Sequence, residues 1–211
     1  DFYRIAEKFH IDPVIARVIR NRDIVTEEEY ERYLGTNTNL YDPHLMKDMD
    51  RGVAWIRQAI LDQKKIRILS DYDVDGVMSN YILYRALKRC NADVDYRIPD
   101  RIEDGYGMNE TMVREAYDAG IQVLLTCDNG IAALLPIAYA KNLGMTVVVT
   151  DHHDIPFEYD EDGRKEYIQS VADAVIDPKQ EDCSYPYKQL CGAGVAYKFV
   201  QVLYETCGID V

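Results

Sequence analysis

Three short runs hold most of the side chains able to do chemistry: Asp71-Tyr72-Asp73-Val74-Asp75-Gly76, Asp128-Asn129-Gly130 and Asp151-His152-His153. Each has an ordinary reading when taken alone. Three carboxylates at alternate positions before a glycine can form a calcium loop, although Val77-Met78-Ser79 follows and the later acidic ligand of an EF-hand loop is missing. Asp-Asn-Gly commonly makes a turn, and Asp-His-His can cap a helix with its imidazoles in water. Placed at one end of one sheet, the runs gather five carboxylates and two of the chain's four histidines. Five clustered carboxylates cannot all stay ionised without compensating charge, and one or more would bind protons instead. Divalent cations remove the problem. Mixed Asp and His donors suit Mn²⁺ or another first-row ion, with Mg²⁺ an alternative where the donors are mostly oxygen. A two-metal site activates water near neutral pH and holds the attacking and leaving oxygens of a phosphoryl transfer in line. The chemistry to expect is metal-dependent phosphoester hydrolysis.

The elements needed to position these runs can be read around them. From Lys65 onward, short apolar strands alternate with helices. The pattern predicts strands at Ile66–Ser70, Val94–Ile98, Val123–Cys127, Thr146–Thr150 and Ala172–Ile176, and helices at Val77–Cys90, Glu110–Ala119, Ile131–Asn142 and Gly194–Thr206. Such alternation implies an α/β domain with a doubly wound, mostly parallel five-stranded sheet, whose ligands bind beyond the carboxyl ends of the strands. The three chemical runs directly follow the first, third and fourth predicted strands. The acidic stretch Asp154–Glu166 breaks the rhythm and reads as an exposed insertion.

Before Lys65 the chain reads as helices. Asp12-Pro13 is an N-cap and first-turn proline opening a helix to about Asn21, and Thr26-Glu27-Glu28-Glu29 is a capping box whose helix Gly35 closes. A longer helix runs from roughly Met46 to Asp62. Residues 1–64 are therefore expected to form an N-terminal helical cap, and residues 65–211 the α/β domain. The absent initiator Met and the abrupt end at Val211 suggest a segment of a longer protein.

Composition sets the outer limits. The 211 residues are 47% apolar and 29% charged, which is ordinary globular composition and excludes wholesale disorder. No run approaches the ~18 consecutive apolar residues of a membrane span, so no membrane role is expected. Five widely spaced cysteines with no Cys-x-x-Cys pair fit reduced thiols in the cytoplasm better than a disulfide framework or a zinc-thiolate site. The net charge of −13 argues against DNA binding through a broad basic surface, but carboxylates that hold cations are counted in it as uncompensated charge.

The three runs, taken in order, resemble the DHH phosphoesterase superfamily. The resemblance extends to its branch of single-strand-specific 5′→3′ DNA exonucleases, through Tyr41-Asp42-Pro43-His44 and Met46-Lys47-Asp48-Met49, Arg101-Ile102-Glu103-Asp104-Gly105-Tyr106-Gly107, Asp177-Pro178-Lys179, and Tyr185 through Lys198. Other branches do not generally carry the Arg101–Gly107 block. The resemblance implies hydrolysis of single-stranded DNA to 5′-mononucleotides with Mn²⁺ or Mg²⁺, in recombination and repair. Activity on short oligoribonucleotides, cyclic dinucleotides or pyrophosphate, and a catalytically incompetent segment, are the alternatives.

Residue by residue, the resemblance implies that Asp73 and Asp128 ligate one metal and that Asp75, Asp128 and His152 ligate the second, with Asp128 bridging. Asp71 and Asp151 stand beside the ligands, and His153 faces the scissile phosphate. Arg101 contacts a DNA phosphate, the alternative being a salt bridge to Glu103 or Asp104. Lys198 and Lys179 are either DNA-backbone contacts or solvated lysines. Gly192 and Gly194 serve tight helix packing or offer backbone amides to phosphate. Two departures stand out. Leu69 occupies a position where some relatives place a metal-binding His. A further metal-binding Asp lies in a family motif beyond Val211. The resemblance also implies a second core domain and an oligonucleotide-binding domain outside these residues. Much of the attraction for DNA, and any contact with replication or repair proteins, would lie there.

Overall fold

The structure, a computed structural model, describes residues 2–35 and 40–210. The outermost residues of the expected domains, Asp1 and Val211, lie outside them. The chain divides into two compact units, Asp1–Leu40 and Tyr41–Val211.

The first unit holds three helices, α1 (Phe2–Phe9), α2 (Pro13–Arg20) and α3 (Glu27–Leu34). Asp12 caps α2 by accepting from the Val14 amide at 2.8 Å, with Pro13 in the first turn. The Thr26 capping box is complete: the Glu29 amide donates to Thr26 Oγ1, and the Thr26 amide donates to the Glu29 carboxylate. Ile5, Ala6, Ala16, Ile19 and Tyr30 make a small core, pinned by the Tyr30 hydroxyl donating to the Ala16 carbonyl at 2.7 Å.

In the second unit, a short 3₁₀ turn (Pro43–Leu45) and α4 (Met49–Leu61) precede an alternating series. It runs β1 (Ile66–Ser70), α5 (Val74–Arg89), β2 (Val94–Arg97), α6 (Glu110–Asp118), β3 (Val123–Cys127), α7 (Leu134–Asn142), β4 (Thr146–Thr150), the hairpin β5 (Phe157–Tyr159) and β6 (Lys165–Tyr167), β7 (Ala174–Ile176) and α8 (Gly192–Cys207). Five strands form one sheet in the order β2-β1-β3-β4-β7, every pair parallel, as the alternation predicted. One face carries α4, α5 and α8, through residues such as Ile56, Leu83 and Phe199. The other carries α6 and α7, through Met112, Val113 and Ile137. β5 and β6 pair only with each other and are exposed throughout, so Asp154–Glu166 is an outlying insertion.

The compact units part at Leu40/Tyr41, ahead of the point where the strand–helix alternation opens at Ile66. The cause is α4. Its Met49, Val53 and Ile56 belong to the core of the sheet, and a methyl group at Gly52 would stand 2.6 Å from Ile176 Cδ1. α4 is thus a layer of the α/β unit and not part of the N-terminal helices. Four helix starts also differ from expectation, that of α4 falling at Met49. α5 begins at Val74 because Asp73 caps it, α7 begins only at Leu134 after the turn through Gly130, and α8 begins at Gly192.

Candidate metal centre

The register of the sheet builds the site. Ser70 pairs with Cys127, Cys127 with Thr150 and Thr150 with Ile176, so four neighbouring strands end in line. The next residue on each is an aspartate: Asp71, Asp128, Asp151 and Asp177. All four are buried, at 2% exposure or less. The sheet order reverses between β1 and β3, which is where open α/β sheets leave a crevice at their carboxyl edge.

Asp128 occupies the centre. Its backbone is left-handed (φ 60°), a conformation that Asp tolerates better than most residues. Oδ1 has no hydrogen-bond partner although it is buried, and His152 Nε2 stands 2.9 Å from it without hydrogen-bond alignment. Burial, reinforced by Asp75 and Asp73, pushes the Asp128 carboxyl up to about 8. Asp71 Oδ1 is likewise buried and without a partner. Ligand atoms of Asp71, Asp73 and Asp128 fall within 4.8 Å of one another, as do those of Asp128, His152 and His153. Oxygen atoms left unpaired at an apolar sheet edge are costly unless a cation meets them, and these two overlapping groups have the donor chemistry of divalent-ion sites. The residues present therefore fit divalent cations.

Around this centre the remaining polar groups are committed. Asp73 caps α5 by accepting from the Gly76 amide at 2.9 Å, which leaves its other oxygen for the site. A side chain at Gly76 would collide with the Asp71 backbone, so this turn requires glycine. Asp75 accepts from the Gly192 and Ala193 amides, at 2.6 and 2.8 Å, and its Oδ2 stands 3.5 Å from His152 Nε2. Asp151 is an anchor. Its Oδ2 accepts from the Ile131 amide, and its Oδ1 accepts from the His152 and His153 amides and from His153 Nδ1 at 2.7 Å. That hydrogen bond raises the His153 imidazole to about 9, whereas burial lowers His152, as a neutral nitrogen ligand requires.

The other expected residues divide. Gly192 sits against Asp128, where an added Cβ would lie 2.6 Å from Oδ1, so close packing is its role, and its amide serves Asp75 rather than a phosphate. Gly194 meets only the Leu190 side chain and Cys191. Arg101 makes neither of the alternative salt bridges, to Glu103 or to Asp104. Asp104 is taken by Arg97, and the exposed Arg101 guanidinium lies 5.5 Å over the Tyr72 ring, inside the first acidic run. Lys198 is not a surface contact. It is 3% exposed, with Nζ donating to the Tyr41 carbonyl at 2.7 Å, because its place on α8 turns it into the core. Lys179 pairs with Asp154 at 2.9 Å. Leu69 is fully buried among α6-side residues, so β1 supplies apolar packing at that position. Cys191, the N-cap of α8, is the exposed one of the five cysteines.

Two residues that the sequence shows only inside longer motifs, with no role assigned, belong to the site. Asp177 follows β7, accepts from the Lys179 amide through Oδ1, keeps Oδ2 unpaired, and is pushed by burial up to about 7. Applying the strand-end rule to the fifth predicted strand would have found it. Tyr106 places its hydroxyl 3.1 Å from His153 Nε2, a contact between residues 47 apart that no local pattern announces.

Residues 65–210 match the family model described as "DHH family, N-terminal domain". A curated relative, the single-stranded-DNA-specific exonuclease RecJ of Bacillus subtilis, is 39% identical over 200 residues, covering 94% of this chain and 24% of the relative. The solved structure of exonuclease RecJ bound to manganese is 30% identical with a TM-score of 0.66, over 78% of this chain and 39% of that one. RecJ from Thermus thermophilus in complex with Mn²⁺ is 25% identical with a TM-score of 0.71, over 99% of this chain and 28% of that one. The chain spans less than a third of the length of the first curated relatives it matches.

Proposed function

Since the chain belongs to the DHH family, we propose that it is the cation-binding catalytic segment of an exonuclease that removes 5′-mononucleotides from single-stranded DNA, 5′→3′, in recombination and repair in the cytoplasm. The observation that carries this reading is the row of strand-end aspartates with buried, unpaired oxygens facing His152. Asp71, Asp73, Asp75, Asp128 and His152 would hold two divalent cations, Mn²⁺ or Mg²⁺. When bound, the cations supply Lewis-acid charge neutralisation and an activated water.

The chain's own residues do the rest. Asp128 is shared between the two donor groups and would serve both cations. The α8 amides hold Asp75 in one orientation. Asp151 fixes the His153 ring from Nδ1, and Nε2 would serve the scissile phosphate. Arg101, exposed and resting on Tyr72, is free to fork onto a DNA phosphate.

The test supplies Mn²⁺ and follows single-stranded DNA labelled at either end, beside a duplex and a dinucleotide. It uses this chain and the longest open reading frame that carries it. Immediate release of the 5′ label from single strands alone is expected. Turnover of the dinucleotide alone would retain the cation site and move the substrate to short oligonucleotides.

A further inference from the structure

We propose that Tyr106 is a catalytic residue whose hydroxyl donates a hydrogen bond to a non-bridging oxygen of the scissile phosphate, with His153 positioning that hydroxyl. This rests on the phosphodiesterase reading above. His153 Nδ1 is spent on Asp151, whose own oxygens are fixed by the Ile131, His152 and His153 amides, so the ring cannot turn. Nε2 is the one nitrogen left, and the Tyr106 hydroxyl already stands 3.1 Å from it. A phosphate oxygen arriving beside Nε2 therefore meets a pair of groups and not a lone imidazole.

In either state of the ring, the tyrosine's is the hydrogen of this pair that is able to turn toward the phosphate. With Nδ1–H directed at Asp151, a neutral His153 has a bare Nε2 that accepts the phenol hydrogen, and that hydrogen must turn from Nε2 to the phosphate when the substrate arrives. In a charged His153, Nε2–H donates to the phenol oxygen, and the hydrogen left over is again the tyrosine's.

The placement of Tyr106 is built. Gly107 follows it at φ 69° and packs on the Asn129 side chain, where an added Cβ would be 3.5 Å away. The Tyr106 ring meets Tyr72 edge-on at 6.4 Å and His153 edge-on at 6.1 Å. Its ring thus meets the first acidic run on one side, and its hydroxyl meets the Asp-His-His run on the other. Beyond the pair lies a cavity of about 310 Å³, walled by Met108, Ile131, Ala132 and Ala133, with room for the nucleoside attached to that phosphate.

Tyr106→Phe keeps the ring and loses the donor. On an oligonucleotide with Mn²⁺, kcat is expected to fall about 10²-fold, the loss seen for single oxyanion donors, with KM and Mn²⁺ affinity unchanged. The decisive measurement uses the two phosphorothioate diastereomers at the scissile linkage. Sulfur accepts hydrogen bonds poorly, so the variant and the wild type should converge to within threefold on one diastereomer and stay apart on the other. An active wild type with Tyr106→Phe within twofold of it overturns the role. So does an equal loss on both diastereomers, or a loss traced to weaker Mn²⁺ binding, which would make Tyr106 structural. A wild type that hydrolyses no phosphodiester overturns the reading of the site itself, and the role with it.

Discussion

At the scale of single residues, the centre is a set of acids held where water would rather keep them. Burial, with Asp75 and Asp73 nearby, pushes Asp128 from its ordinary 3.8 to about 8, and burial pushes Asp177 to about 7. The cation-free folded chain then holds protons that the unfolded chain has already released, so its stability falls as pH rises from about 4 through 8. His153, raised to about 9 by Asp151, adds in the same direction above about pH 6.5. Thermal denaturation in a chelator should show Tm decreasing between pH 5 and pH 8; a rising profile would contradict the burial argument. Mn²⁺ replaces those protons, so its increment to Tm should be larger at pH 8 than at pH 6. Asp128→Asn keeps a residue that tolerates the left-handed backbone while removing the charge. It should raise the Tm of the cation-free protein and abolish both Mn²⁺ binding, read by calorimetry, and hydrolysis. The acids of the first three runs were legible because carboxylates and imidazoles at strand ends have few other uses. Lys198 was misread because its burial depends on an acceptor, the Tyr41 carbonyl, supplied 157 positions away.

At the scale of elements, the site is as good as the fit of α8 against β3. Gly192 permits contact with Asp128, and its amide and that of Ala193 hold Asp75, so one helix end positions two carboxylates. Gly192→Ala is expected to weaken Mn²⁺ affinity at least 10-fold by displacing Asp128. Gly194→Ala, which meets the flexible end of Leu190, should stay within twofold in the same titration. Gly52→Val tests the opposite layer. It would drive a branched side chain into Ile176 and Val148, and chemical denaturation should show a loss of about 1–3 kcal/mol, the usual cost of overpacking. The strands could be read from the sequence almost to the residue, since continuous apolar runs between turns leave little choice. Helix starts could not, because Asp73 and Gly130 mark them through a cap and a turn rather than through periodicity. The place of α4 was hidden for another reason: an apolar stripe looks the same whether it faces helices or a sheet.

At the scale of the molecule, the parallel sheet works as a ruler. Four strands ending in register put four aspartates side by side, and the net charge of −13 counts those acids without the cations they would hold. That arrangement also leaves an experimental handle. Cys191, exposed while Cys90, Cys127 and Cys183 are buried and Cys207 only partly open, caps the helix whose first residue touches Asp128. A maleimide should attach there first under native conditions, one adduct per chain by mass spectrometry. A nitroxide or fluorophore carried on that thiol would stand beside the cations and register paramagnetic Mn²⁺ as it arrives, independently of any nuclease assay.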